Sequence, residues 1–247
     1  MMNWEIALLV TGALAGGFIN GLAGFGTALF ALGFWLQFME PARAVAIVVV
    51  LSVVSGLQGL WLVRTSILDQ PRRLMRFLIP ALFGIPLGIF SLSFLEPGML
   101  RLVIAGFLIA YGGFFTFRRN FPRLEGPAPL VDAFVGFWGG VLGGAASLSG
   151  ALPTMWCALQ TWTKSETRAV LQPFNVAVLG LAAITFFFKG FYSGENLLFL
   201  AIALPVAMIS AQVGISVFKR LDDATFRHLL VILMFVSGVV LIIRELY

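Results

Sequence analysis

Uncharged runs dominate the chain, and two of them are too long to be single membrane spans. The first extends from Ile6 to Met39. At about 1.5 Å per residue it would make a helix of roughly 51 Å, against a hydrocarbon core of about 30 Å. Its centre reads Gly16-Gly-Phe-Ile-Asn20-Gly-Leu-Ala-Gly24-Phe-Gly26-Thr27. Glycine and asparagine are poor helix formers and supply the permissive backbone that a break or reversal needs. The pattern predicts two helical arms meeting at a polar, glycine-rich tip inside the membrane.

Ordinary apolar runs follow at 44–63, 77–95 and 102–117, separated by Arg64, Arg72, Arg73, Arg76 and Arg101. Pro80, Gly84, Pro86 and Gly88 lie inside the second of these, as transmembrane helices tolerate when neighbours satisfy the freed backbone groups. Residues 118–129 form the most polar and proline-rich stretch and read as a linker. The pattern then recurs. An overlong run from Ala133 to Thr163 is interrupted by Gly139-Gly-Val-Leu-Gly-Gly144-Ala-Ala-Ser-Leu-Ser149-Gly150, and ordinary runs follow at 169–188, 196–218 and 228–243. Landmarks match between the halves: Gly17-Phe with Gly136-Phe, Arg43-Ala-Val with Arg168-Ala-Val, Gly88 with Gly214, and Arg101 with Arg227. This spacing indicates an internal duplication.

Charge decides how the halves are oriented. If each interrupted run crossed the membrane once, the 16 Lys and Arg residues would split nine to seven between the two sides. If each run enters and leaves on one side, twelve fall on one face, leaving Arg43, Arg101, Lys189 and Arg244 on the other. The second division is the asymmetry that the positive-inside rule demands. The expected fold is an all-α polytopic membrane protein of two inverted repeats, each a broken or re-entrant helical hairpin plus three transmembrane helices. The first repeat is 1–117, the linker 118–129 and the second repeat 130–247.

Composition supports a membrane class: 60% hydrophobic residues, 11% charged and a mean hydropathy of +1.00. Continuous rather than alternating apolar runs exclude a transmembrane barrel. The net charge of +5 comes from residues between apolar runs and never forms the basic stripe of a nucleic-acid binder. One cysteine, Cys157, and one histidine, His228, exclude an internal disulfide and any Cys- or His-rich metal centre; Cys157 reads as packing and His228 as interfacial. No GxxxxGK[ST] sequence occurs, so the chain carries no P-loop of its own, and no cofactor is expected. The start, Met1-Met-Asn-Trp-Glu5, lacks a basic n-region and a cleavage site, so the first arm is expected to be retained.

Inverted repeats with broken helices are a transporter architecture, with the substrate expected near the midplane where the halves meet. A helix N-terminus inside the membrane offers unpaired N–H groups and partial positive charge to an anion. The second arm of each hairpin starts at such a place. The candidate substrate-binding residues are Asn20, Gly24, Gly26 and Thr27 at one tip and Gly143, Gly144, Ser147 and Ser149 at the other. Small residues that merely permit tight helix packing are the plainer reading of either tip alone, although packing does not explain the excess length of both runs. Gln172 and Asn175 lie at mid-membrane depth, with Ser52 and Ser55 at similar depth in the equivalent span; they either line the path or join helices. Gln58 and Gln212 carry the same two readings. Arg43 and Arg168 stand at helix starts, either as snorkelling anchors or as electrostatic lures at each entrance.

The segment Gly17-Phe-Ile-Asn-Gly21-Leu-Ala-Gly24-Phe-Gly26 with Pro41-Ala-Arg-Ala-Val45, repeated as Gly136-Phe-Trp-Gly-Gly140-Val-Leu-Gly-Gly144 with Glu166-Thr-Arg-Ala-Val170, resembles the sulfite exporter TauE/SafE family over nearly the whole chain. The resemblance implies an inner-membrane, multi-pass permease for sulfite, sulfoacetate or other sulfonates, or related organic acids. The second tip departs from the usual glycine run by extra residues. The partners expected are a small anionic substrate and the lipid bilayer, with a homo-oligomer compatible. The leading expectation is a secondary transporter that exports a small sulfur oxyanion by alternating access. The alternatives are a permease or channel for another small organic anion and a non-transporting membrane scaffold. An intramembrane hydrolase would need a base beside a mid-membrane serine, and the sequence offers neither His nor Asp there.

Overall fold

A computed structural model describes residues 3–91, 126–146, 149–192 and 194–246, with the single positions 105, 106, 109, 113 and 124. Ser147, most of the expected 102–117 span and the first part of the 118–129 linker lie outside the described residues. The elements are α1 (Asn3–Ala23), α2 (Thr27–Trp35), α3 (Pro41–Leu62), α4 (Arg64–Asp69), α5 (Pro71–Ser91), α6 (Pro129–Ala146), α7 (Ala151–Ala158), α8 (Lys164–Phe188), α9 (Glu195–Arg220) and α10 (Asp223–Leu246). Among the described residues there is no strand, and five helical stretches are long and apolar enough to cross a membrane: Asn3–Ala23, Arg43–Leu62, Lys164–Phe188, Glu195–Arg220 and Asp223–Val240. An all-α multi-pass membrane protein is the result. Trp61, Phe83 and Phe188 are exposed, as suits side chains that meet lipid.

The chain forms two compact units, Met1–Leu62 with Asn175–Arg220, and Val63–Phe174 with Leu221–Tyr247. Each therefore draws helices from both sequence repeats. In the first unit α1 and α2 fold back on each other: Gly16 meets Thr27 and Ala31, Gly12 meets Trp35, and Trp4 stacks edge-on against Phe38. The apolar core joins this hairpin to α3 and α9 through Leu9, Ala13, Trp35, Ile47, Leu51 and Phe199.

Direction can be read from paired contacts. Gly17 and Gly21 of α1 lie on the backbone of Ala207 and Ala211 of α9, so α1 and α9 run parallel. Arg43 and Gln58 of α3 meet Glu195 and Gln212 of α9, so α3 runs the same way. A chain can place α1 and α3 in one direction only by returning between them, and α2 makes that return. The overlong first run is a hairpin, as its length requires.

The second unit builds the same contact from other residues. Gly136 and Gly140 of α6 rest on the backbone of Phe77 and Ala81 of α5, which makes these helices parallel too. Hairpin closure between α6 and α7 is marked by Gly139 against Pro153, and by Trp156 Nε1 donating to Asp132 Oδ1 at 2.7 Å. Reciprocal glycines complete both interfaces: Gly84 faces Phe137 and Val141, and Gly214 faces Phe18 and Leu22. Gly214 thus plays the part of Gly84 rather than of Gly88, one helical turn from the landmark match. Glycines one turn apart on one face look alike in sequence.

Local chemistry fixes the ends. Thr163 and Glu166 form a reciprocal cap on α8, Thr163 N donating to Glu166 Oε2 at 2.9 Å and Glu166 N to Thr163 Oγ1 at 3.2 Å. Asp222 accepts from Thr225 N at 2.8 Å and Thr225 Oγ1 at 2.7 Å at the start of α10, and these bonds hold its carboxyl below the ordinary range.

Because no side chain separates the paired backbones, Gly21→Leu and Gly140→Leu are expected to destabilise the protein by roughly 1–3 kcal/mol or more. Gly180→Leu, where nothing lies within 4 Å, is the control. Thermal unfolding of the purified protein in detergent measures the difference.

Candidate functional site

The first hairpin tip is built from the end of α1 and the start of α2. Asn20 is buried, and its Nδ2 donates to the Ser52 carbonyl at 3.0 Å and to Ser55 Oγ at 2.7 Å. Ser52 and Ser55 are themselves anchored, donating to the carbonyls of Val48 and Leu51 one turn back. Both Asn20 donors are therefore committed to α3, while its Oδ1 is buried without a partner. Buried polar atoms normally find one.

Beyond Asn20 the backbone turns through Gly24 and Gly26, at φ 88° and 92°, a region that side chains with Cβ avoid. Gly26 is the N-cap of α2 and offers no side-chain cap. Thr27, first residue of α2, is buried, and its Oγ1 has no partner. Two unpartnered oxygens thus belong to this tip, one in the last turn of α1 and one at the uncapped start of α2. The other end of α2 is pinned by Trp35, fully buried, whose Nε1 donates to the Leu9 carbonyl at 3.1 Å.

The second tip differs in backbone. Gly150, N-cap of α7, has φ −80° and again no side-chain cap, so this helix start needs no left-handed residue. Ser149 and Gly143 are buried, and Gly144 is partly so. Thr154 is fully buried with an unpartnered Oγ1. Nothing in the sequence reading singled out Thr154; its signal was a hydroxyl in a short apolar arm, one turn after a glycine.

Arg43 and Arg168 have different surroundings. Arg43 Nη1 meets Glu195 Oε2 at 3.1 Å with both side chains about half exposed, 45% and 55%, the kind of surface pair that contributes little. Arg168 is fully buried in the second unit, and its Nε donates to Gln172 Oε1 at 3.2 Å, one turn along α8. It does not reach out of the protein as a snorkelling anchor would. Gln172 is fully buried with Nε2 unpartnered. Asn175 is buried at the start of that part of α8 which belongs to the first unit. Gln58 accepts from Gln212 at 2.9 Å on an exposed face, which accounts for both as links between helices.

A model of the sulfite exporter TauE/SafE family matches residues 8–241 of the 247-residue chain. The chain belongs to that family. No curated protein matches it. As a TauE/SafE protein it is a membrane transporter, of a family of permeases rather than of enzymes. The match takes in both hairpins, and so both uncapped helix starts of this TauE/SafE chain.

Replacing Asn20 by Leu strands the Ser52 carbonyl and Ser55 hydroxyl, with an expected loss of roughly 1–3 kcal/mol of stability. Thr27→Val removes a hydroxyl that no group of the protein engages, so its effect on stability should stay within about 0.5 kcal/mol. Unfolding followed by tryptophan fluorescence distinguishes the two.

Proposed function

We propose that the protein exports a small sulfur oxyanion, sulfite or a short organosulfonate, across the cell inner membrane by alternating access, drawing on a gradient. The observation that carries this reading is the start of α2: an uncapped helix N-terminus beside a buried Thr27 hydroxyl with no partner in the protein. Uncommitted N–H groups and a hydroxyl supply donors to an anion without a lysine or arginine. Asn20 adds an acceptor, since its amide N–H groups are taken and its Oδ1 is open. For sulfite, that pairing of donors with one acceptor favours the singly protonated form over the dianion, and the substrate's own proton then accompanies it. Gly24 and Gly26 keep the approach to the helix start free of side chains.

In the second unit, Gly143, Gly144, Ser147 and Ser149 at the tip, with Gln172 on α8, are the residues we assign to substrate binding; Asn175, on the part of α8 that belongs to the first unit, is assigned the same role there. Arg168, buried and bonded to Gln172, is the charge behind them; Arg43 stands at an entrance. The repeats are inverted in this reading, which gives the twelve-to-four division of basic residues and places the richer face in the cytoplasm. The substrate and the lipid bilayer are its only required partners. A homo-oligomer is compatible with it.

Flux of sulfite from proteoliposomes tests the site. Thr27→Val should lower the rate about tenfold, the value of one lost hydrogen bond to a charged group, while leaving unfolding unchanged; wild-type flux in this variant would refute the assignment. Thermal shifts should rank sulfite and short sulfonates above sulfate and carboxylates. For the inverted arrangement, single cysteines replacing Arg43 and Arg73 in a Cys157→Ser background should label from opposite faces of the membrane. Labelling from one face would overturn it.

A further inference from the structure

We propose that the second unit holds a separate binding site for a phosphoryl or sulfo group, at the end of its hairpin away from the tip. A cavity of about 710 Å³ lies there, walled by the start of α5, the first turn of α6 and the stretch leading from α7 into α8. Asp132 lines it, and Asp132 is about 21 Å along α6 from that helix's last residue at the tip end.

The argument rests on which donors and acceptors are already engaged. Glu166 accepts from Arg73 Nη1 at 2.8 Å, from Thr163 N and Oγ1 at 2.9 Å each, and from Gln70 Nε2 at 3.5 Å. Arg73 also lies over the Trp162 ring, 4.3 Å from its centroid. Asp132, 4% exposed, accepts from Trp156 at 2.7 Å and has Arg76 at 3.6 Å. The two inner carboxylates are thus committed. On the donor side, Arg72 makes no ion pair among the described residues, and Arg76 has only its one long contact. Gln160, 3% exposed and lining the cavity, has Nε2 without a partner. Among the described residues, Asp69 is the one remaining carboxylate in the wall, and it is exposed.

Among the described residues, donors therefore outnumber open acceptors around a walled space. A tetrahedral oxyanion supplies several acceptor oxygens at once and matches the fork of a guanidinium. Bare phosphate would fill little of such a volume, which is of the size that holds a whole small organic molecule. The group is accordingly borne on a larger body. A phospholipid headgroup and a soluble organic phosphate share this chemistry.

The test uses the full-length protein in nanodiscs. In discs of phosphatidylcholine alone, glycerol 3-phosphate is titrated by calorimetry. In a second arm, discs with and without phosphatidylglycerol are compared for thermal midpoint and for lipid retained in native mass spectrometry. Binding in the first arm assigns the soluble source, and retention with a raised midpoint in the second assigns the lipid. Either should weaken about tenfold in Arg72→Gln, the size of one lost charge-assisted contact, and further in Gln160→Glu, which sets a negative charge where the amide stood. Arg72 is exposed, so its variant decides the matter should Gln160→Glu fail to fold. Absence of binding in both arms, or binding that Arg72→Gln leaves intact, overturns the proposal. Thr27→Val should bind as wild type, which separates this site from the one assigned to transport.

Discussion

The structure depends on two places where helix backbones touch without side chains between them, α1 on α9 and α6 on α5. In hydrocarbon there is no hydrophobic drive to press helices together, so association relies on close packing and on polar links. Small residues make that possible: Gly17 and Gly21 with Ala207 and Ala211 in one unit, Gly136 and Gly140 with Phe77 and Ala81 in the other. In both, the approach is reinforced by a reciprocal glycine on the partner helix, Gly214 or Gly84. Ser210 Oγ, donating to the Leu14 carbonyl at 2.6 Å, ties the first interface at its edge. Once these pairs are set, the direction of each long arm is set, and the short arm can only return.

Each hairpin adds two helix ends to the fold. Backbone groups at such ends need partners that lipid cannot give. In the first unit the return is closed at its base by Trp35 on the Leu9 carbonyl, and steadied near its tip by Asn20 on Ser52 and Ser55. What stays unmet among the described residues includes Asn20 Oδ1, Thr27 Oγ1 and Asn196 Oδ1 in the first unit, and Thr154 Oγ1, Gln160 Nε2 and Gln172 Nε2 in the second. Of these, Thr27 and Thr154 stand in the first turns of α2 and α7, whose starts carry no side-chain cap.

Much of this was legible in the chain because length is a hard constraint. A run from Ile6 to Met39 cannot be one span, and a glycine cluster at its middle says where it bends. The all-α class and the doubled hairpin followed from that alone. Register was harder. Gly84 and Gly88 sit one turn apart on one helix face, and only three-dimensional contact distinguishes which of them answers to Gly214. The fate of Arg168 was also hidden, since Arg43-Ala-Val and Arg168-Ala-Val read alike while one arginine sits on a surface and the other is enclosed, a difference of packing that the shared tripeptide does not carry. The sequence likewise shows that Asn20 is polar but not that α3 claims both of its donors. Thr154 was passed over because a single hydroxyl in an apolar arm carries no pattern.

Interleaving has a consequence for how the protein is made. The glycine face of α1 waits for α9, about 190 positions later in the chain, and at roughly 5–20 residues per second of synthesis that is a delay on the order of 10–40 s. During it the first hairpin has left the ribosome with α3 as its only completed neighbour. A nascent α1 must therefore lodge in the bilayer with a bare strip of backbone, held by its own apolar length and by the Asn20 clasp. The insertion machinery, or lipid itself, has to shield that strip until the last quarter of the polypeptide arrives.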